Sequence, residues 1–342
     1  MNLLIFEYAI AMGVNNPFIT VEGQYILEGL LTDLKDTGAD YLISRYSGLN
    51  ENIMEESINC NPIPLEEEIS SWLDDNISEY DACLPVAPEE DLILYGLTKT
   101  LEDKGVKIIG SSSDAVLTCS DKYKTYELLR DDFTLVKSEK VCFSNIKDYK
   151  PIFNSRNRKM LVKPADGVSC SGVRVVQSYA DFIKASANIK RMTRLPFLLL
   201  QDYIEGISTS VSILSTGKSA LPLSLNLQDI KLDQDKLVYT GGKVPYEHRL
   251  SDEAKDISKR AVESISGLKG YVGVDLVLDE VNDTVCILEI NPRLTTSYVA
   301  LRRLSNFNMG RAIIKAVEGI LPSEFNIDGS ASFQKGNDIV FK

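Results

Sequence analysis

The chain has few of the residues from which zinc centres and disulfide scaffolds are built. Its 342 residues include one histidine, and its six cysteines are scattered without a CxxC pair. Structural zinc sites need closely spaced Cys and His ligands, and small disulfide-stabilised domains need a denser cysteine framework. The sequence therefore predicts reduced thiols and neither of these sites.

Long apolar runs and an excess of basic residues are also missing. No run of eighteen apolar residues occurs, and the opening MNLLIFEYAI has no basic segment. We therefore expect no membrane span and no secretion signal, and a cytoplasmic protein. With 37 basic and 49 acidic residues the net charge is −12, which disfavours a general nucleic-acid or anionic-membrane surface. Any anionic ligand must then be met by a local group of basic side chains.

Composition and length indicate a folded protein of two or three domains, with 44% hydrophobic and 25% charged residues. Strands and helices alternate through the first 115 residues, which predicts a parallel α/β sheet. The predicted strands are 3–9, 41–45, 82–86 and 107–109, and the predicted helices are 20–35, capped by Thr20, and 89–104, ended by Gly105. No GxGxxG motif follows the first strand, which disfavours a dinucleotide site.

The stretch GYVGVDLVLDEVNDTVCILEINPR, residues 270–293, predicts two apolar strands joined by an acidic turn. Pairing about the middle of this turn places Asp275 opposite Glu289. Asn291 then lies on the same face, opposite Gly273, whose missing side chain leaves room for a ligand.

Two carboxylates that face each other among apolar neighbours are costly to bury unless a hard divalent cation lies between them. The hairpin therefore predicts a metal site formed by Asp275, Glu289 and Asn291. A half-exposed hairpin that carries these side chains on its solvent face is the plain alternative. Arg293, two residues beyond Asn291, suits a site that handles phosphate oxygens.

Two lysines lie where phosphate groups could be bound. Lys122 is in the first turn of a helix predicted to start at Ser120 or Asp121 and to run to residue 129, where the helix dipole disfavours a cation. It is either an exposed lysine or one that reaches a phosphate. Lys163 ends an apolar strand and precedes the small-residue loop PADGVSCSG, whose amides could cradle an anion. A plain hairpin turn is the alternative for that loop.

Two further segments are candidate ligand contacts. LLLQDYIEG, residues 198–206, is an apolar strand that leads into a polar linker, where an adenine could lie. YTGGKVPYEHRL, residues 239–250, brings Lys243, His248 and Arg249 into one glycine-rich loop. In an acidic protein this basic loop suggests an anionic ligand, although a solvated charged turn is equally open.

Taken in order, these signals resemble the ATP-grasp superfamily of carboxylate–amine ligases, over roughly residues 110–320. The resemblance implies an α/β ATP-grasp fold, in which an N-terminal pre-ATP-grasp domain (1–115) precedes two α+β subdomains (116–204 and 205–342) that clamp ATP. It implies magnesium or manganese at Asp275, Glu289 and Asn291, and it implies that Arg293 steadies the transferred phosphoryl group. The implied ATP contacts are Lys122, Lys163, Ser169, Gln201, Tyr203, Ile204 and Ser208.

Two residues depart from the superfamily pattern. Gln201 stands where many members have an adenine-contacting glutamate, and its carbonyl can still accept from the adenine amine. Ser208 stands where several members place a ribose-binding glutamate, which leaves the ribose contact open.

The finer pattern, with FEYA, VEG, APEEDLILYGLT, SDKYKTYELL and GGKVPYEH, is similar to an archaeal group of these ligases. That group joins the γ-carboxylate of L-glutamate to tyramine through an acyl phosphate, in methanofuran biosynthesis. Two alternatives stay open. One is another acid and amine pair, such as lysine with methylornithine, and the other is a nucleotide-binding regulator without catalysis.

For the two substrates, we expect one anionic pocket and one cationic pocket. Lys243, His248 and Arg249, with Glu22 for the α-ammonium, are assigned to glutamate. Glu7, Tyr8 and Tyr46 are assigned to the ammonium and ring of an aromatic amine. The expected partners are small molecules, and a homo-oligomer remains open.

Overall fold

A computed structural model describes residues 1–45, 59–155, 159–168, 170–334 and 340–341 of the chain. Its N-terminal elements are β1 (Leu3–Glu7), α1 (Tyr8–Met12), α2 (Pro17–Leu34), β2 (Ala39–Ser44), β3 (Cys60–Leu65), α3 (Ile69–Asn76), β4 (Ala82–Val86), α4 (Ile93–Asp103) and β5 (Lys107–Ile108). The strands form a parallel sheet of order β3-β2-β1-β4-β5. Helix α2 covers one face and α3 and α4 cover the other, so the predicted parallel α/β sheet is confirmed.

The observed helix ends test the predicted capping residues. Helix α2 begins at Pro17 with Asn16 as its cap, because the Asn16 side chain accepts from the amide of Phe18 at 3.2 Å. The predicted cap at Thr20 is therefore wrong, since its hydroxyl lies inside the helix and donates to a preceding carbonyl. Gly105 does follow α4 with a φ of +74°, as predicted.

Three N-terminal elements were not predicted: α1, β3 and α3. Strand β3 contains two prolines, which are tolerated because β3 is an edge strand of the described sheet. Strand β1 ends at Glu7 instead of residue 9, since the Glu7 carboxylate accepts from the amide of Ile10 and caps the short helix α1.

The second part of the chain forms a largely antiparallel sheet. Its elements are α5 (Ser113–Ser120), α6 (Lys122–Leu129), β6 (Ser138–Cys142), α7 (Lys150–Ser155), β7 (Met160–Lys163), β8 (Arg174–Val176), α8 (Tyr179–Ile189), β9 (Phe197–Asp202), β10 (Ile207–Thr216), β11 (Ala220–Asp233), β12 (Lys236–Val244), α9 (Ser251–Ser264), β13 (Lys269–Asp279), β14 (Thr284–Asn291), α10 (Ser297–Leu304), α11 (Met309–Val317), β15 (Ala331–Gln334) and β16 (Val340–Phe341). In the described ranges the strand order is β14-β13-β10-β11-β12-β8-β7-β9-β6, with β15 paired to β12.

Separate apolar cores support the two ends of this sheet. Helix α8 packs Phe182 against β7 and β9, and helix α9 packs Ala254 and Ala261 against β10 and β13. The opposite face of β13 is polar near its middle, and it faces the carboxyl ends of the N-terminal strands. In the part of the chain that the structure describes, no helix has both the length and the apolarity that a bilayer crossing needs.

A buried carboxylate joins the N-terminal sheet to the C-terminal helices. Asp33 of α2 is 7% exposed and accepts from Arg302 at 2.7 Å, from the hydroxyl of Tyr298 at 2.9 Å and from the amide of Gly310 at 3.0 Å. Because both ends of this ion pair are removed from water, removal of one end leaves an uncompensated charge.

We therefore expect Asp33→Ala to lower the free energy of unfolding by about 3–5 kcal/mol. The matched control is Asp36→Ala, at an exposed carboxylate that pairs with Arg311, where the loss should stay below about 1 kcal/mol. Urea unfolding followed by circular dichroism measures both. Equal losses in the two variants would contradict the anchoring role of Asp33.

Candidate active site

The hairpin of β13 and β14 has the predicted register. Asp275 pairs with Glu289 and Gly273 pairs with Asn291. The turn is stabilised by Asp279, whose carboxylate accepts from the amides of Val281 and Asn282. A bulge follows Asp275, beyond which the pairing continues one residue out of step.

The space opposite Asn291 is already filled. A Cβ on Gly273 would lie 2.7 Å from the side chain of Thr295, which folds back over the strand from the segment after β14. The prediction that Gly273 leaves room for a ligand is therefore wrong. The glycine is needed because Thr295 packs there.

The two facing carboxylates have unequal surroundings. Asp275 accepts from Gln228 at 3.0 Å and from the Asn291 amide at 3.3 Å, and burial together with the facing Glu289 raises its pKa to about 7. Burial also acts to raise the pKa of Glu289, but Lys122 and Lys163 outweigh it and lower that pKa. The two carboxyl groups therefore differ in proton affinity, which is high at Asp275 and low at Glu289.

Lys122 links the hairpin to the small-residue loop that follows β7. Its helix is capped by Asp121, one of the two predicted capping residues, and Lys122 is the first residue of that helix. The ammonium lies 3.4 Å from a Glu289 oxygen and donates to the carbonyl of Gly167. With 9% of the side chain exposed, the alternative of a solvent-exposed lysine is wrong.

Lys163 is a buried cation without a direct partner. It is 6% exposed, and among the described residues its ammonium forms no hydrogen bond or ion pair. Burial lowers its pKa, which the more distant charge of Glu289 opposes. An isolated buried ammonium is costly, so this position suits an anion supplied from outside the chain.

The strand register brings Lys163 and Gln201 to one face of the sheet. Lys163 pairs with Leu199 and Leu161 pairs with Gln201, while the intervening residues of both strands face the α8 core. The amide nitrogen of Gln201 donates to the hydroxyl of Ser138 at 2.8 Å.

The other predicted nucleotide contacts continue from this face. Tyr203 and Ile204 follow β9 and are half-buried, and Ser208 is half-buried near the start of β10. Ser169 lies outside the described residues, and so does Tyr46.

Arg293 is held by a carboxylate that the sequence analysis did not pair with it. Its Nε and Nη2 atoms donate to Glu89 at 2.9–3.0 Å, and Glu89 is 3% exposed. Glu89 follows the carboxyl end of β4, so this ion pair joins the N-terminal sheet to the end of the hairpin. Burial opposes the charged form of Arg293, but Glu89, Glu22 and Glu7 outweigh it and raise the pKa of the guanidinium.

Glu7 and Glu22 complete an acidic cluster with Glu89 around Arg293. Glu7 is 8% exposed and lies so close to Gly23 that a Cβ there would come 2.3 Å from its carboxylate. Glu22 accepts from the hydroxyl of Thr296, just beyond Arg293. The cluster carries three carboxylates and one guanidinium, which favours a cationic ligand.

The basic loop after β12 is not part of this cluster. His248 lies 3.3 Å from Glu280, and Arg249 pairs with Asp283, both in the turn between β13 and β14. Lys243 is exposed. The predicted grouping of these three residues with Glu22 is wrong, because hairpin-turn carboxylates satisfy two of them at the opposite end of the strands.

Tyr8 also lies away from the acidic cluster. Its ring packs against the core between β1 and helices α3 and α4. Burial, and then the charge of Glu68, raise the pKa of its hydroxyl. Its ring is therefore a packing residue of the N-terminal sheet, which is the plainer alternative for this tyrosine.

The donor set at the hairpin suits a hard cation. Asp275, Glu289 and Asn291 would offer two carboxylates and an amide oxygen, which are the oxygen ligands that hard divalent cations prefer. No group of three or more His, Cys, Asp and Glu side chains with metal-binding geometry occurs in the described ranges. A cation at the hairpin would therefore need ligands from outside the chain as well.

Two known domain families match the sequence of this chain. Residues 119–297 match the ATP-grasp domain, and residues 43–116 match the pre-ATP-grasp domain that precedes it. The chain belongs to the ATP-grasp family.

Three individual proteins are similar to most of this chain in sequence or in structure. The tyramine–L-glutamate ligase of Methanocaldococcus fervens is 34% identical over 302 residues, which are 88% of this chain and 89% of that protein. A crystal structure of an ATP-grasp superfamily protein from Archaeoglobus fulgidus has a TM-score of 0.68 at 24% identity, and covers 98% of this chain and 92% of that one. The biotin carboxylase domain of a Hydrogenobacter thermophilus carboxylase, in complex with MgADP, has a TM-score of 0.76 at 13% identity, over 97% and 73% of the two chains.

The buried carboxyl of Glu7 should make the stability of the protein depend on pH. Burial raises its pKa from 4.5 to about 7, so its stabilising contribution is complete below pH 4.5 and is lost as the pH rises through about 7. Glu7→Gln keeps an acceptor for the Ile10 amide and removes this loss. Above pH 8 the variant should therefore be more stable than the wild type, by an amount on the order of 3 kcal/mol, and the gain should shrink toward pH 5.

Urea unfolding at pH 5 and pH 8 measures this difference. Glu67→Gln, at an exposed position, is the control and should change stability little at either pH. A Glu7→Gln variant that loses stability at pH 8 would contradict the burial of a destabilised carboxylate.

Proposed function

We propose that the chain is an ATP-dependent ligase that joins the γ-carboxylate of L-glutamate to the amine of tyramine. The products are γ-glutamyltyramine, ADP and phosphate. The observation that carries the reaction class is the buried Lys163, which has no direct partner among the described residues and lies near the facing carboxylates Asp275 and Glu289. The substrate pair comes from the ligase of Methanocaldococcus fervens, to which the chain is 34% identical over most of both lengths.

The nucleotide would lie between the β7–β9 face and the hairpin. Lys163 and Lys122 would meet its phosphates, because both ammonium groups are held near Glu289 on the side where charge must be neutralised. Gln201, Tyr203 and the backbone of Ile204 would meet the adenine. We retain Ser169 and Ser208 as proposed ATP contacts.

Magnesium or manganese would be held by Asp275, Glu289 and Asn291. When bound, the metal would neutralise phosphate oxygens during the transfer. The remaining positive charge would come from three side chains. Lys122 and Lys163 would balance the phosphate charge, and Arg293, which is fixed by Glu89, keeps a guanidinium at the end of the hairpin. We propose that Arg293 steadies the transferred phosphoryl group from there.

The chemistry follows in two balanced steps. A γ-carboxylate oxygen of glutamate attacks the terminal phosphorus of ATP and ADP leaves, which gives an acyl phosphate. The amine nitrogen of tyramine then attacks the acyl carbon, phosphate leaves, and one proton is lost from nitrogen. Glu7 and Glu22 would hold ammonium groups of the substrates, since both carboxylates belong to the acidic cluster around Arg293.

Release of ADP with a panel of acids and amines tests the proposal. Glutamate plus tyramine should support turnover, and omission of either should remove most of it. Turnover only with lysine and an ornithine-type partner would contradict the substrate pair and leave the reaction class standing. ATP binding without turnover on any pair would identify a regulator and contradict the reaction class.

Variants at the site serve as controls in the same assay. Asp275→Ala and Glu289→Ala should each remove most turnover with the fold intact, because either leaves the metal with too few ligands. Lys163→Ala should mainly raise the KM for ATP. Lys243→Ala is the matched lysine control at an exposed position and should leave the KM for ATP unchanged.

A further inference from the structure

A bulge in β12 directs one tyrosine to the face of the sheet that carries Asp275. Asp229 pairs with Gly241, but the next residue, Ile230, pairs with Tyr239, so that Thr240 is an extra residue. An extra residue moves the following side chains to the other face of a strand. Tyr239 therefore shares the face of Gln228, whose amide donates to Asp275 at 3.0 Å.

The C-terminal strand holds this bulge in place. Strand β15 pairs with β12 at Gly241 and Gly242, and a Cβ on Gly241 would lie 2.1 Å from the carbonyl oxygen of Phe333. The backbones approach so closely that only glycine fits at this position. The direction of the Tyr239 side chain is thus set by the sheet and not by a surface loop.

The hydroxyl of Tyr239 is influenced by carboxylates of the N-terminal part and of the hairpin. After burial, the charges that most raise its pKa are those of Glu22, on the N-terminal side, and Asp275, on the hairpin. Within the described ranges the hydroxyl forms no hydrogen bond. A half-buried phenol among carboxylates stays protonated, so it is a hydrogen-bond donor without an acceptor.

The acid substrate of the proposed reaction offers an acceptor that the described residues do not provide. Glutamate has two carboxylates, of which the γ-carboxylate must lie by Asp275 and Glu289 to be phosphorylated. The α-carboxylate then needs a donor between the hairpin and Glu22. The basic loop with His248 and Arg249 is not available for this, because it pairs with the hairpin turn.

We propose that Tyr239 is a specificity-determining residue whose hydroxyl donates a hydrogen bond to the non-reacting carboxylate of the acid substrate. The inference rests on the proposed ligase function. It assigns to Tyr239 the distinction between a dicarboxylic amino acid and an analogue that lacks the second carboxylate.

The test compares L-glutamate with 4-aminobutyrate, which has the reacting carboxylate and the amine but no α-carboxylate. In Tyr239→Phe the KM for glutamate should rise about tenfold to hundredfold, as expected for a lost hydrogen bond to a charged group. The inhibition constant of 4-aminobutyrate against glutamate, and the KM for ATP, should change less than about twofold. Tyr246→Phe, at a half-buried tyrosine of the same segment, is the matched control and should leave all three constants unchanged.

Two outcomes would overturn the proposal. An unchanged KM for glutamate means that the hydroxyl does not touch the acid, and equal weakening of both compounds means that the ring only supports the cleft. If the wild type uses another acid in place of glutamate, the proposed substrate fails, and Tyr239→Phe is assayed with that acid and its analogue. An acid without a second carboxylate would overturn the assignment of Tyr239 as well.

Discussion

The rest of the structure depends on two carboxylates that face each other across a hairpin. Asp275 and Glu289 are fixed opposite each other by the register of β13 and β14, and their mutual repulsion helps to raise the pKa of Asp275. Lys122 relieves part of this repulsion through an ion pair with Glu289, and in doing so it ties the small-residue loop to the hairpin. Lys122 and Lys163 place two ammonium groups near these carboxylates, and this combination of charges is the basis for the proposed metal and polyphosphate sites.

The N-terminal sheet is held against this hairpin by buried charges. Asp33 binds the C-terminal helices through Arg302, and Glu89 binds the end of the hairpin through Arg293. These two ion pairs keep Glu7 and Glu22 beside the segment that follows β14. The lysines beside Glu289 and the acidic cluster around Arg293 are therefore both held near the hairpin carboxylates.

Sequence patterns predicted what depends on local spacing. The alternation of strand residues gave the pairing of Asp275 with Glu289, and the capping residue Asp121 gave the start of its helix. The ATP-grasp fold followed from the order of several such signals. Contacts between residues distant in sequence could not be predicted in this way. The partners of His248 and Arg249 are set by the packing of a loop on the hairpin turn. The direction of Tyr239 depends on a bulge held by the C-terminal strand.

The central claim is that the site transfers a phosphoryl group to a carboxylate before the amide bond forms. Glutamate labelled with ¹⁸O in its γ-carboxylate, incubated with ATP and tyramine, tests it most directly by mass spectrometry of the released phosphate. An acyl phosphate intermediate passes one labelled oxygen from glutamate to phosphate, so we expect one ¹⁸O atom in each phosphate released with product. Unlabelled phosphate, with product still formed, would contradict this account of the site.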